Sequence, residues 1–86
     1  MNWTGIWNRL WRLIDMPGDC YFGGPRFLNV VREVNLDLPQ YGELMETRRR
    51  TGKSTSRRDY FREIFMELDE ERRVRVVASI LDQVRD

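Results

Sequence analysis

The 86-residue chain contains no histidine, one cysteine and one lysine. Without histidine, the usual general base near neutral pH and the commonest metal ligand are both missing. With Cys20 alone, neither an intrachain disulfide nor a multi-cysteine zinc site can form. An unpaired cysteine fits a reducing compartment. No apolar run approaches the roughly 20 residues that span a bilayer. Arg9 and Arg12 interrupt the apolar residues near the start, so no signal-peptide pattern appears. The expectation is a soluble, cytoplasmic protein with no membrane span, no metal and no cofactor.

What is present is ordinary hydrophobic content, at 41%, with a generous 12% of aromatic residues, which favours a folded globule over disorder. A chain of this length makes one domain, near the size where core and chain entropy almost balance. The net charge is only +1, but it is unevenly placed. Residues 1–47 sum to −2, from four Arg against six acids. Residues 48–62 sum to +6, from six Arg and Lys53 against Asp59, and residues 63–86 to −3, from four Arg against seven acids. A basic middle between acidic ends can pair with itself, with a second copy or with an anionic partner.

Hydrophobic spacing predicts five helices and no strands. Trp3, Trp7, Leu10, Trp11 and Ile14 recur at helical intervals, with Asn2 or Thr4 as cap and a stop before Met16-Pro17-Gly18. After a loop from Asp19 to Gly24, from which Cys20, Tyr21 and Phe22 are expected to tuck into the core, Pro25 opens a second helix. Its inward face is Phe27, Val30, Val31 and Val34, with Arg26, Arg32 and Glu33 toward water. A third helix opens at Asp37 or Leu38 with Pro39, presents Tyr41, Leu44 and Met45, and ends in Arg48, Arg49 and Arg50 before Gly52. Cations in a last turn followed by glycine match the helix dipole and a left-handed cap.

The fourth helix carries the densest apolar face: Tyr60, Phe61, Ile64, Phe65 and Leu68. Ser56 with Asp59 resembles a capping box at its start. A break is expected at Leu68-Asp69, because Glu71 and Arg72 stand where a continuous helix would need apolar residues. Asp69 then caps a fifth helix with Glu70 and Glu71 in its first turn and Val74, Val76, Val77, Ile80, Leu81 and Val84 along it. The predicted fold is all-α: a compact bundle of about five short helices forming a single domain over 1–86.

Two motifs near the third helix have familiar look-alikes. Thr51-Gly52-Lys53-Ser54-Thr55 resembles the tail of a phosphate-binding loop, but Thr47 occupies the position where that loop needs its first glycine, inside a helix. The segment is better read as a link between helices. A DNA-reading helix-turn-helix needs small or apolar residues where this chain has Arg48, Lys53 and Arg58. Catalysis has no foothold either. Cys20 has no histidine to activate it, and no pair of carboxylates sits in an apolar setting.

The segment Gly24-Pro25-Arg26-Phe27, continuing through Ser56-Arg-Arg-Asp-Tyr-Phe-Arg-Glu-Ile-Phe-Met-Glu-Leu-Asp-Glu, is similar to small helical, death-fold-like adaptor domains of bacterial anti-phage defence proteins. Such effector-associated domains accompany proteases, nucleases, TIR domains or ATPases. The resemblance implies a homotypic or adaptor contact that recruits or assembles an effector, with no chemistry of its own.

The residues themselves point the same way. Arg48, Arg49, Arg50, Lys53, Arg57 and Arg58 form a basic patch at the junction of the third and fourth helices, and Glu67, Asp69, Glu70 and Glu71 form an acidic one. Fourteen of the fifteen basic residues are arginine, which suits bidentate pairing with carboxylates at an interface. The expectation is therefore a protein interaction module, engaging a partner or a second copy through the basic patch. The alternative is a nucleic-acid-binding domain touching phosphates through the same cations. Trp3, Trp7 and Trp11 are the candidate aromatic anchors for a partner or a membrane surface, although filling the core is the simpler use for them.

Overall fold

Asn2 sets the first helix in place: its side-chain Oδ1 accepts a hydrogen bond from the Gly5 N–H at 3.0 Å, capping α1 (Trp3–Ile14). The computed structural model describes residues 1–84, and among them five helices and no strands occur. They are α1, α2 (Gly24–Arg32), α3 (Tyr41–Arg50), α4 (Arg57–Glu67) and α5 (Glu70–Val84). The all-α bundle expected from the spacing is the fold observed. Its Cα radius of gyration, 12.6 Å, is near the roughly 12 Å of a compact domain of this length.

The junctions account for most of the boundaries. Pro25 lies in the first turn of α2 as expected. At the end of α3, Gly52 adopts φ of 74° and closes a double backbone cap, with Lys53 N–H bonding to Arg48 C=O and Gly52 N–H to Arg49 C=O. Only glycine takes that backbone freely, so the turn beyond α3 is fixed by one residue. Asp69 caps α5 through a 2.9 Å bond from Arg72 N–H, which confirms the break before it.

Two starts differ from expectation. The third helix begins at Tyr41 rather than at Asp37 or Leu38, because Asn35 holds a turn: its Oδ1 accepts from Asp37 N–H and its carbonyl from Leu38 N–H. A short polar side chain bonding to nearby backbone competes with helix in this way. Ser56 occupies the cap position of α4 but its side chain makes no capping bond, so the capping box does not form. Instead Ser54 Oγ accepts from Ser56 N–H.

The core is aromatic, and α4 supplies its centre. Phe61 stacks on Phe27 with centroids 4.0 Å apart, while Phe65 meets Trp7 at 5.3 Å and Trp3 at 5.9 Å. Trp11 packs edge-on against Phe61. Offset and edge-to-face pairs of this kind add to the burial of large apolar area. The α1 stripe thus faces inward. Trp7 is 1% exposed, and Trp3 and Trp11 are partly buried against the core, so no exposed tryptophan stripe remains to act as an anchor. Of Cys20, Tyr21 and Phe22, only Phe22 is buried; Tyr21 is exposed and Cys20 half-buried. On α5 the buried residues are Val76 and Ile80, whereas Val74 and Leu81 lie on the surface.

α2 is packed against α3, α4 and α5. It enters the bundle at Gly24, where a methyl group would lie 2.5 Å from Tyr60 Oη and closer still to the Tyr41 ring. The absence of a side chain there lets α2 start directly against those two rings.

Candidate functional site: the hinge between α3 and α4

The α3 face reads Tyr41, Leu44, Met45 and then Arg48, at i, i+3, i+4 and i+7. The α4 face reads Arg57, Tyr60, Phe61 and Ile64, again at i, i+3, i+4 and i+7. Two arginines of the basic run therefore fall in register with apolar faces. The structure places them accordingly.

Arg48 is 5% exposed. Its Nη2 donates to Glu63 Oε2 at 2.7 Å, its Nε donates to the Ser54 carbonyl, and its guanidinium lies over the Tyr60 ring. A buried charge is tolerated only when paired and hydrogen-bonded in this way. One side chain thereby ties α3 to the link and to α4. The bond from Arg48 holds the Glu63 carboxyl below its ordinary value, with Lys53 adding to the effect.

Arg57 is half-buried and does more. Nη1 donates to Asp15 Oδ1 at 2.9 Å, and Nε and Nη2 both donate to the Phe22 carbonyl, at 3.2 and 2.8 Å. Its guanidinium carbon sits 4.3 Å from the Tyr21 ring centre, 4.9 Å from Trp11 and 5.4 Å from Phe61. The positive charge at the start of α4, unfavourable beside a helix N-terminus, is thus neutralised by the residue that ends α1. Arg57 joins α1, the following loop and α4.

The other four cations stand differently. Arg49, Arg50, Lys53 and Arg58 are exposed, and among the described residues none of their side chains is in an ion pair. They lie at the C-terminal end of α3, in the link and at the second residue of α4, so they occupy one end of the bundle. The basic patch expected from the sequence therefore divides. Arg48 and Arg57 are occupied by acids and carbonyls of their own chain, and Arg49, Arg50, Lys53 and Arg58 face solvent.

The acidic patch divides as well. Glu67 lines a cleft of about 300 Å³ together with Glu63, Arg48 and Lys53, so this part of it lies beside the basic residues. Asp69 is spent on capping α5 and on a 2.8 Å ion pair with Arg72. Glu70 and Glu71 remain exposed in the first turn of α5.

Arg26 and Arg32, expected to face water, and Arg73 on α5 behave like Arg57. Arg26 donates to the carbonyls of Asp19 and Tyr21 and lies 3.9 Å from the Phe22 ring centre. Arg32 donates to the Pro39 carbonyl and to Asn29. Arg73 reaches back from α5 to the Phe65 and Met66 carbonyls, capping the end of α4 over Trp3. The signal for Arg48 and Arg57 was their helical register; for Arg26 and Arg73 the tertiary course of the chain decides.

Among the described residues no cluster of acids and cysteine could hold a metal ion, and no helix is long and apolar enough to cross a membrane. No protein-family model, curated protein or solved structure matches the chain.

Proposed function

We propose that the chain is a protein interaction module that docks an acidic protein surface onto the outer side of the α3–α4 hinge, through Arg49, Arg50, Lys53 and Arg58. The observation that carries this reading is their exposure without ion pairs among the described residues, set beside Arg48 and Arg57 of the same run, which are engaged. Arginine in a rigid setting offers a planar fork of donors to carboxylates, and a helix end supported by Gly52 supplies such a setting. An acidic turn such as that of Glu70 and Glu71 has the chemistry to be held there, on another protein or on a second copy of this chain. The similarity to effector-associated adaptor domains supplies the setting: recruitment of an effector in a bacterial defence system.

Binding of a polyglutamate peptide and of a nonspecific DNA duplex, compared at near-physiological salt, tests the reading. The expected result is peptide binding that Arg49→Glu/Arg50→Glu/Arg58→Glu abolishes while the helical circular-dichroism signal is retained. Preference for the duplex would move the hinge to phosphate recognition instead. Peptide binding unaffected by the triple reversal would remove the reading altogether.

A further inference from the structure

Along the flank of α1 beside the aromatic stripe, Ile6, Leu13 and the core residue Leu10 meet Val77 and Leu81 of α5 at an open groove of about 240 Å³ that Arg9 also lines. Val74 and Leu81 are 50% and 48% exposed, a large fraction for aliphatic residues aligned one above the other on a helix. Helical spacing puts Val74, Val77 and Leu81 in one row, and the core uses the adjacent row of Val76 and Ile80. α5 therefore carries a second apolar row, in which Val77 packs partly against the core while Val74 and Leu81 stay at the surface.

The charges around the groove are polarised. α1 contains no acid, and Arg9 lines the α1 edge. Beyond Leu81, on the α5 edge, lies a hollow bounded by Glu33, Ser79 and Asp82. Such a surface complements itself under one kind of symmetry. A twofold axis running along the helices lays α1 of one copy over α5 of the other, so that each Arg9 faces the carboxylates beyond Leu81. A twofold axis across the helices would instead oppose arginine to arginine and carboxylate to carboxylate. The acidic edge also argues against an anionic lipid surface as occupant.

We infer that the α1–α5 groove is the interface of a twofold homodimer, in which Leu81 and Val77 of each copy pack against Ile6 and Leu13 of the other and Arg9 pairs with Glu33 at the acidic hollow. This surface is separate from the hinge, so a dimer would carry two outward-facing hinges.

Sedimentation equilibrium of the full chain, from micromolar to millimolar concentration, tests the inference. Wild type is expected to approach twice the chain mass as concentration rises. Leu81→Asp should raise the dissociation constant at least about tenfold with helical content unchanged, since it places a charge in an apolar seam already half open to water. Arg9→Glu should weaken the dimer, and Arg9→Glu/Glu33→Arg should restore it, because each swapped pair meets across the axis. Wild type that stays monomeric throughout overturns the inference, whether the groove lies open or takes a different protein. A dimer indifferent to Leu81→Asp, or one that the double swap fails to restore, overturns it too. Leu81→Asp should leave polyglutamate binding unchanged, which keeps failure here distinct from failure of the hinge reading.

Discussion

Arg57 and Arg58 are neighbours in the chain with the same charge, yet they serve opposite sides of the hinge. Arg57 stands at i−3 and i−4 from Tyr60 and Phe61, so the helix turns it inward, onto the Phe22 carbonyl, Asp15 and three aromatic rings. Arg58 is turned about 100° further by the same helix and meets water. Arg48 and Arg49 repeat the contrast at the end of α3. In a bundle this small, an arginine that satisfies loop carbonyls and covers a ring can do what a larger core would otherwise do. The lesson is that a run of like charges has to be resolved by helical register before any of it is assigned to a partner.

The comparison is sharpest at Arg57. Arg57→Ala removes three hydrogen bonds and uncovers a partly buried carbonyl, and should cost about 3 kcal/mol in urea unfolding. Arg48→Ala leaves the Ser54 carbonyl and Glu63 without their donor and should cost about 2 kcal/mol by the same assay. Both changes should leave m-values unaltered, because the folded bundle is otherwise the same.

The inner side of the hinge also carries an alkaline limit. Burial is the main cause that pushes the Tyr60 hydroxyl up from 10.0 to about 12, with Tyr41 adding to it. The folded state therefore holds this proton more tightly than the unfolded one. Its contribution is complete below pH 10 and is lost as pH rises toward 12, at roughly 2–3 kcal/mol. A tyrosine absorbance change near pH 12 that disappears in Tyr60→Phe would identify the group.

A smaller effect of opposite sign belongs to Glu63. Its lowered pKa means the unfolded state takes up the proton first, so stability is lost as pH falls below the ordinary carboxylate range. The carboxylate is 45% exposed, and screening should keep the loss under about 1 kcal/mol, removed by Glu63→Gln. Smallest of all, Arg49→Ala, Arg50→Ala and Arg58→Ala should each stay within about 0.5 kcal/mol of wild type. A larger loss at any of the three would merge the two sides of the hinge.

Much of this architecture is legible in the sequence. The apolar spacing of Trp3 to Ile14 and of Tyr60 to Leu68, Pro25 at a helix start, Gly52 past a helix end and Asp69 at the α4–α5 break each name a local rule that the structure obeys. The start of α3 was hidden because Asn35 offers the backbone an alternative bond that hydrophobic spacing does not register. The hinge was half legible. The i+7 position of Arg48 after Tyr41, and Arg57 three before Tyr60, mark both as inward residues. Their partners, Glu63, Asp15 and the Phe22 carbonyl, lie 15, 42 and 35 positions away and depend on how the helices pack. The α1–α5 groove was less visible still, since Val74, Val77 and Leu81 read as core until Val76 and Ile80 are seen to fill that place.

Replacing arginine by lysine at positions 57 and 58 and comparing urea midpoints tests the account most directly, because charge is kept while the planar donor fork is lost. Arg57→Lys is expected to lose about 1–2 kcal/mol and Arg58→Lys less than about 0.5. Indistinguishable midpoints for the two variants would contradict the division of the hinge into a structural side and a docking side.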